Sequence, residues 1–147
     1  MKKFSFSLEK VLSYNKMVYE RERNELSRLR MELNELEEKL KANRLTLQEK
    51  CNMFTMRMSV GVSVDELRQH QYIKSQLEEQ IKEYERLVQN KRFDVERQLQ
   101  KVIQCDQDVK KMEKLKENQV EEYSKMEASE TQEFILEQVS RKLSIKK

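Results

Sequence analysis

The side chains that could carry catalysis or bind a metal are few and far apart in this sequence. The single histidine, His70, has no cysteine or second histidine beside it with which to build a zinc site. The two cysteines, Cys51 and Cys105, fit a reducing compartment rather than a disulfide framework. Adjacent glutamates recur at Glu37-Glu38, Glu78-Glu79 and Glu121-Glu122. A solvated helix face accounts for such glutamates, so the sequence predicts a protein without catalytic, cofactor-binding or metal-binding residues.

The composition favours long, uninterrupted helices. The chain has 147 residues, no proline, one glycine, 39% charged residues and 37% hydrophobic residues. Proline costs about 3 kcal/mol and glycine about 1 kcal/mol inside a helix, so their near-absence leaves helices unbroken. A chain with so many charged residues and so few apolar ones is not expected to form a thick hydrophobic core. Two possibilities remain: an elongated helix with a narrow apolar face, or a disordered chain. The periodicity of the apolar residues distinguishes them.

The charges are mixed along the chain, with 30 basic and 27 acidic residues and a net charge of +3. This mixing is typical of a solvated, ion-paired helix surface and predicts no nucleic-acid partner. The basic pairs Lys2-Lys3 and Lys146-Lys147 leave a weak nucleic-acid role open, which would show as binding that falls steeply with salt. No run approaches the roughly 20 apolar residues of a membrane span, and the first residues lack a signal peptide's apolar region. We therefore expect a cytoplasmic protein.

Heptad stripes mark both halves of the chain. In the first half every seventh residue is apolar, in a row of Leu12, Tyr19, Leu26, Leu33, Leu40, Leu47 and Phe54. The companion row that starts at Leu8 is interrupted by polar residues, among them Asn15 and Glu22. The second half carries a β-branched row of Ile81, Val88, Val95, Val102 and Val109. A heptad stripe faces one side of a helix towards a partner helix, so each half predicts a coiled-coil helix.

A turn is predicted between the two stripes. Gly61 can adopt the left-handed conformation that ends a helix, and Ser63 followed by Glu66 matches a capping box that starts one. A kink in one continuous helix is the alternative. The favoured fold is all-α, a long antiparallel two-helix coiled-coil hairpin whose second helix is the longer. We expect a single domain over 1–147, with the first helix at about 5–57, the turn at about 58–64 and the second helix at about 64–143.

The same fold predicts a register and an unpaired end. Pairing about Gly61 brings Leu40 opposite the region of Lys82, and Leu12 opposite that of Lys110. The second helix then extends past its partner beyond about residue 118. An apolar face without an internal partner needs an external one. The apolar residues beyond that point are Phe134, Ile135, Val139 and Leu143.

The opening run from Phe4 to Leu12, with its F-x-F-x-L-x-x-V-L pattern, resembles the start of the FliJ family. Proteins of this family are coiled-coil stalk components of the bacterial flagellar type III export apparatus. The segment from Leu67 to Lys74 is also similar to the family, as are the length and the position of the turn. Near the C-terminus Glu130, Glu133 and Glu137 approximate the family's acidic pattern, but its aspartate is missing.

The resemblance implies a non-enzymatic export component that resembles the central stalk of rotary ATPases. Its partners would be a FliI-like export ATPase ring, a FlhA-like export gate and export chaperones, whose substrates it helps to deliver. It would work in the cytoplasm, at the cytoplasmic face of the export apparatus, with at most peripheral membrane association through these partners. The residues implied at the ATPase ring are Phe4, Phe6, Leu8, Val11, Phe134 and Ile135. Those implied at the gate are Ile73, Leu77, Gln80 and Tyr84, although Leu77 and Tyr84 also occupy core positions of the second stripe.

Two other classes of protein share these sequence features. A structural or tethering coiled coil unrelated to export, possibly dimeric, would have the same stripes. A homologue from a virulence secretion system would also have the same features as a flagellar protein.

Overall fold

The computed structural model describes residues 2–145, which form two helices and no strand. Helix α1 spans Glu9–Met58 and helix α2 spans Val64–Ile145. The helices pack against each other, and α2 with 82 residues is longer than α1 with 50. The predicted all-α hairpin is thereby confirmed. Lys146 and Lys147, the C-terminal basic pair, lie outside the described residues.

The hairpin consists of two compact units. The tip unit is Glu22–Val102 and contains the turn between the helices. The terminal unit joins the start of the chain, up to Arg21, with α2 from Ile103 onward. Each unit has its own small hydrophobic core, built from the heptad rows of the two helices.

The turn is built around Gly61. Its φ of +110° is a conformation that L side chains rarely adopt, and its amide donates to the carbonyls of Arg57 (3.1 Å) and Met58 (3.2 Å). These bonds satisfy carbonyls that the end of α1 leaves unpaired. Ser63 caps α2, because its Oγ accepts a hydrogen bond from the Glu66 amide at 3.2 Å. The Glu66 carboxylate pairs instead with Arg57 across the turn, at 3.6 Å, so the salt bridge links the two helix ends.

The apolar core of the tip unit lies along the two predicted rows. Leu40 of α1 is buried in one cluster with Ile81 and Val88 of α2. The half-buried residues packed against this cluster are Leu33, Leu36, Leu47 and Tyr84. The contact of Leu40 with Ile81 agrees with the predicted register.

Polar side chains at core positions of the tip unit fix that register. The buried Gln98 amide donates to the backbone carbonyl of Glu22 (2.9 Å) and to its carboxylate (2.6 Å). Lys91, also at a core position, pairs with Glu32 at 2.8 Å while both are partly shielded from water. A shift by one helical turn would leave these polar groups without partners, and an unpaired polar group in a core is costly. The polar pairs therefore select one alignment among those that the apolar rows allow.

Glu32 forms ion pairs with Lys91 of α2 and with Arg28 of its own helix. The hydrogen bond from Lys91, together with the nearby charge of Arg28, lowers the pKa of Glu32 from its ordinary value of 4.5. A carboxylate whose pKa is lowered in the folded state stabilises that state above its unfolded pKa. This stabilisation is lost as the pH falls through the folded-state pKa. Glu32 thus makes the helix pairing sensitive to acid and insensitive to pH near neutrality.

Replacing Gly61 by alanine should destabilise the hairpin by about 1 kcal/mol, because a Cβ at positive φ is strained. A Cβ at this position meets nothing within 4 Å, so backbone strain is the only source of the effect. The measurement is urea unfolding followed by circular dichroism. Val60→Ala is the matched control in the same turn, since Val60 is 90% exposed. Equal stability of Gly61→Ala and the wild type would contradict the turn described here.

The thermal midpoint should stay level between about pH 7 and pH 5 and begin to fall below about pH 4.5, where Glu32 of the unfolded chain takes up a proton while the pKa of Glu32 in the folded chain is still lower. Glu32→Gln should lower the midpoint at neutral pH and flatten the acid dependence, because glutamine offers no charge to Lys91. Glu38→Gln, an exposed change on the same helix, serves as the control. An unchanged pH profile in Glu32→Gln would show that the ion pair does not hold the helices together.

Candidate partner-binding surfaces

The N-terminal segment before α1 folds onto the hairpin. Phe6 is buried, 7% exposed, in a cluster with Leu12 of α1 and Val109 of α2. Phe4 packs against the same cluster, and its ring lies 5.5 Å from that of Tyr123, centroid to centroid. Alternate residues of an extended chain point to the same side, which lets both phenylalanines reach the core. The terminal unit therefore completes its core with a segment that is not helical.

Two polar contacts hold this segment in place. The Tyr123 hydroxyl donates to the backbone carbonyl of Lys2. The Glu9 amide, at the start of α1, donates to the carbonyl of Phe6 at 3.1 Å. Ion pairs of Lys116 with Glu9 (2.9 Å) and of Lys16 with Glu113 (3.6 Å) flank the core on the helices. The segment is thus a built part of the terminal unit.

The four N-terminal residues implied as ATPase contacts fall into two groups. Phe6 is buried and Phe4 is half-buried against the same core, so both rings stabilise the terminal unit. Leu8 and Val11 are exposed, with 37% and 44% of their surface accessible. Only the second pair forms an accessible surface. The sequence did not reveal this division, because an F-x-F run fits burial on its own helix and burial on a partner equally well.

The last part of α2, residues 124–145, is here called the α2 extension. Every residue in it is exposed except Gln138, which is half-buried, so no side chain of the extension lies in a core among residues 2–145. Phe134 and Ile135, also implied as ATPase contacts, are 61% and 55% exposed. The large apolar residues exposed on the extension are Met126, Phe134, Ile135, Leu136, Val139, Leu143 and Ile145. A helix with this much exposed apolar surface is typical of a binding site for another protein.

The apolar stripe of the extension lies on a different side of α2 from the core rows. At 100° per residue, the core rows continue as Glu130, Glu133 and Glu137. The stripe through Ile135 and Val139 is turned by roughly 150° from them. The side that packs on α1 earlier in α2 thus becomes acidic, and the opposite side becomes apolar. The apolar stripe therefore lies on a side of α2 that takes no part in the pairing with α1.

The residues implied at the export gate lie on the first part of α2, in the tip unit. Gln80 is exposed, whereas Ile73 and Leu77 are half-buried. Tyr84 packs against the core cluster that contains Leu40. Gln80 is therefore fully accessible to a partner, whereas the other three side chains are only partly accessible. Core packing accounts for the position of Tyr84.

His70 lies beside the same face, next to the turn. Its ring stacks on that of Phe54 with the centroids 3.8 Å apart and the planes 3° from parallel. Phe54 is the last member of the apolar row of α1, so His70 extends the core contact towards the tip. The two side chains line a shallow groove with Ile73 and Arg57. His70 is therefore a packing residue next to the turn.

The described residues give little support for a metal site, a disulfide or a membrane span. No group of three histidine, cysteine or acidic side chains within 2–145 is arranged to hold a metal ion. Cys51 and Cys105 are both half-buried, and neither forms a disulfide within residues 2–145. Over the same residues, neither helix offers a stretch apolar enough to cross a bilayer.

A coiled-coil hairpin with a shielded core and a bare helical end defines a class of protein that works by binding partners. The sequence matches the family model described as "Flagellar FliJ protein" over residues 4–141. The chain therefore belongs to the FliJ family, a non-catalytic family of the flagellar protein export apparatus, as its opening residues indicated. Comparison with curated proteins and with solved structures gives no match.

Removing the Phe6 ring should loosen the terminal unit. A buried phenylalanine replaced by alanine costs about 3 kcal/mol, so amide exchange in the first turns of α1 and near Val109 should rise about a hundredfold in Phe6→Ala. Phe134→Ala is the control, because that ring is exposed and packs on nothing in the fold. Similar exchange in both variants would contradict the internal role of Phe6.

Proposed function

We propose that this chain is a non-enzymatic, stalk-like component of the flagellar export apparatus that binds the export ATPase ring through its terminal unit. The observation that carries this proposal is the family match over residues 4–141. The terminal unit supports it by joining exposed residues from both ends of the chain. These are Leu8 and Val11 at the start and Phe134 and Ile135 on the α2 extension. In this proposal Phe4 and Phe6 fasten the N-terminal segment and hold Leu8 in position.

The shape of the α2 extension suits insertion between other subunits. A single helix is about 10 Å across with its side chains, whereas a paired hairpin is wider. Along the same stretch of helix, the extension also has an apolar stripe on one side and acidic residues on another. A partner that surrounds it meets both kinds of surface, which is the arrangement that a ring of subunits provides. The structure of the extension thus supports a ring as partner more than a flat surface.

The second partner is the export gate, at the face that includes Ile73, Leu77, Gln80 and Tyr84. Gln80 is the exposed member and would make the direct polar contact, while the other three hold the helix surface in place. Because the gate face lies in the tip unit and the ATPase face in the terminal unit, the two partners would use separate surfaces. This separation supports a role in linking the ATPase to the gate and in passing on chaperone–substrate complexes. The protein would act in the cytoplasm beside the membrane-bound apparatus.

The test pairs two variants with two partners. Phe134→Ser should weaken binding to the purified export ATPase about tenfold or more and leave binding to the cytoplasmic gate domain unchanged. Gln80→Arg should weaken binding to the gate domain and leave binding to the ATPase unchanged. The added charge lies on the gate face, which is far from the α2 extension in sequence. Affinities are measured by surface plasmon resonance, with circular dichroism to confirm that both variants fold.

The matched control for Phe134 is Met126→Ser. Met126 is 62% exposed, like Phe134, and lies on the same bare stretch of helix but on its core-row side. Absence of binding to either partner by the wild type would overturn the proposed function. Equal loss in Met126→Ser and Phe134→Ser would place the ATPase contact elsewhere on the extension.

A further inference from the structure

The N-terminal segment, residues 2–8, is attached to the terminal unit by few contacts. Phe6 is its one buried side chain and Phe4 is half-buried, while the other five residues are exposed. None of its backbone amides donates to another backbone group within residues 2–145. A stretch with so few bonds and contacts opens more easily than a helix, whose amides are bonded along its whole length. The contacts thus allow the segment to leave the core while both helices stay intact.

The segment closes the end of the terminal core. Leu12 lies in the first turn of α1, yet it is only 2% exposed. Its cluster contains Phe6 from the segment and Val109 from α2. Phe4 and Met112 pack against this cluster. Because α1 has no earlier turn that could shield Leu12, the segment supplies this cover, and its release would uncover an apolar surface.

One side chain of α2 holds the far end of the segment. The Tyr123 hydroxyl donates to the carbonyl of Lys2, and the Tyr123 ring lies beside that of Phe4 with the centroids 5.5 Å apart. A single neutral hydrogen bond that is exposed to water contributes little to stability, so it can break and form again without cost to the rest of the fold. The bond joins the segment to α2 and does not involve α1. A change at the hydroxyl therefore acts on the segment alone.

We propose that the N-terminal segment is a releasable cover, which opens as one unit while α1 and α2 remain paired and which the Tyr123 hydroxyl holds closed. Release would uncover Leu12 and Val109 and would free the rings of Phe4 and Phe6. These apolar groups all lie in the terminal unit, which also carries the α2 extension. A partner that binds them would shift the segment towards the open state. The release itself needs no other protein, so it does not rest on the proposed function.

Thiol labelling of the full chain tests the release. In chains with Cys51→Ala and Cys105→Ala, Leu12→Cys places a thiol under the segment. Leu26→Cys places one in the same heptad row of the tip unit, at a side chain that is 4% exposed. Leu12→Cys should react with a maleimide dye about a hundredfold faster, because only the thiol at position 26 needs the helices to separate. Low concentrations of urea should change the rate of Leu12→Cys little, since release exposes little surface, and should raise that of Leu26→Cys in step with unfolding.

Tyr123→Phe tests the closing bond, because it removes the hydroxyl and keeps the ring. It should speed the labelling of Leu12→Cys about fivefold and leave that of Leu26→Cys unchanged. Tyr14→Phe is the matched control, since Tyr14 is 61% exposed on α1 and its hydroxyl should affect neither rate. Equal labelling rates of the two cysteine variants, or equal dependence on urea, would show that the segment opens only when the hairpin unfolds and would overturn the proposal. So would a Tyr123→Phe chain in which Leu12→Cys reacts no faster than it does beside the native tyrosine.

Discussion

The packing of one leucine row against one β-branched row is the interaction on which the whole molecule depends. A hairpin of two helices has a single layer of apolar contacts and no second layer to compensate for a fault. Leu40 against Ile81 and Val88 in the tip unit, and Leu12 against Val109 in the terminal unit, are the centres of that layer. The remaining surface is charged and solvated, so it adds little to stability. The proposed binding surfaces lie where this layer ends or is exposed at its edge.

Apolar rows alone would allow several alignments, and the polar residues of the core remove that freedom. Gln98 bound to Glu22 and Lys91 bound to Glu32 are satisfied in one register only. The turn at Gly61 also fixes where α1 ends and where α2 begins. The length of the α2 extension follows from these constraints.

Much of the fold could be predicted because heptad periodicity is a local signal. The rows through Leu12 and Ile81, and the turn at Gly61, need only the spacing of residue types along the chain. The burial of Phe4 and Phe6 could not be predicted, since it depends on a non-helical segment folding back onto α2. The capping-box pattern also predicted that the Glu66 side chain would accept a hydrogen bond from the Ser63 backbone amide. This bond does not form, because the Glu66 carboxylate pairs with Arg57 instead. Long-range contacts of this kind leave no periodic trace in a sequence.

The position of the candidate binding site was partly predictable for the same reason. The apolar residues near Phe134 predicted that the end of α2 would be exposed, but their rotation away from the core rows required the structure. We propose that the α2 extension is the main binding surface of the molecule. Hydrogen–deuterium exchange of the full chain, free and with the export ATPase ring, tests it most directly. Protection concentrated in residues 124–145 is the predicted result, and protection confined to the turn near Gly61, with an unchanged extension, would contradict it.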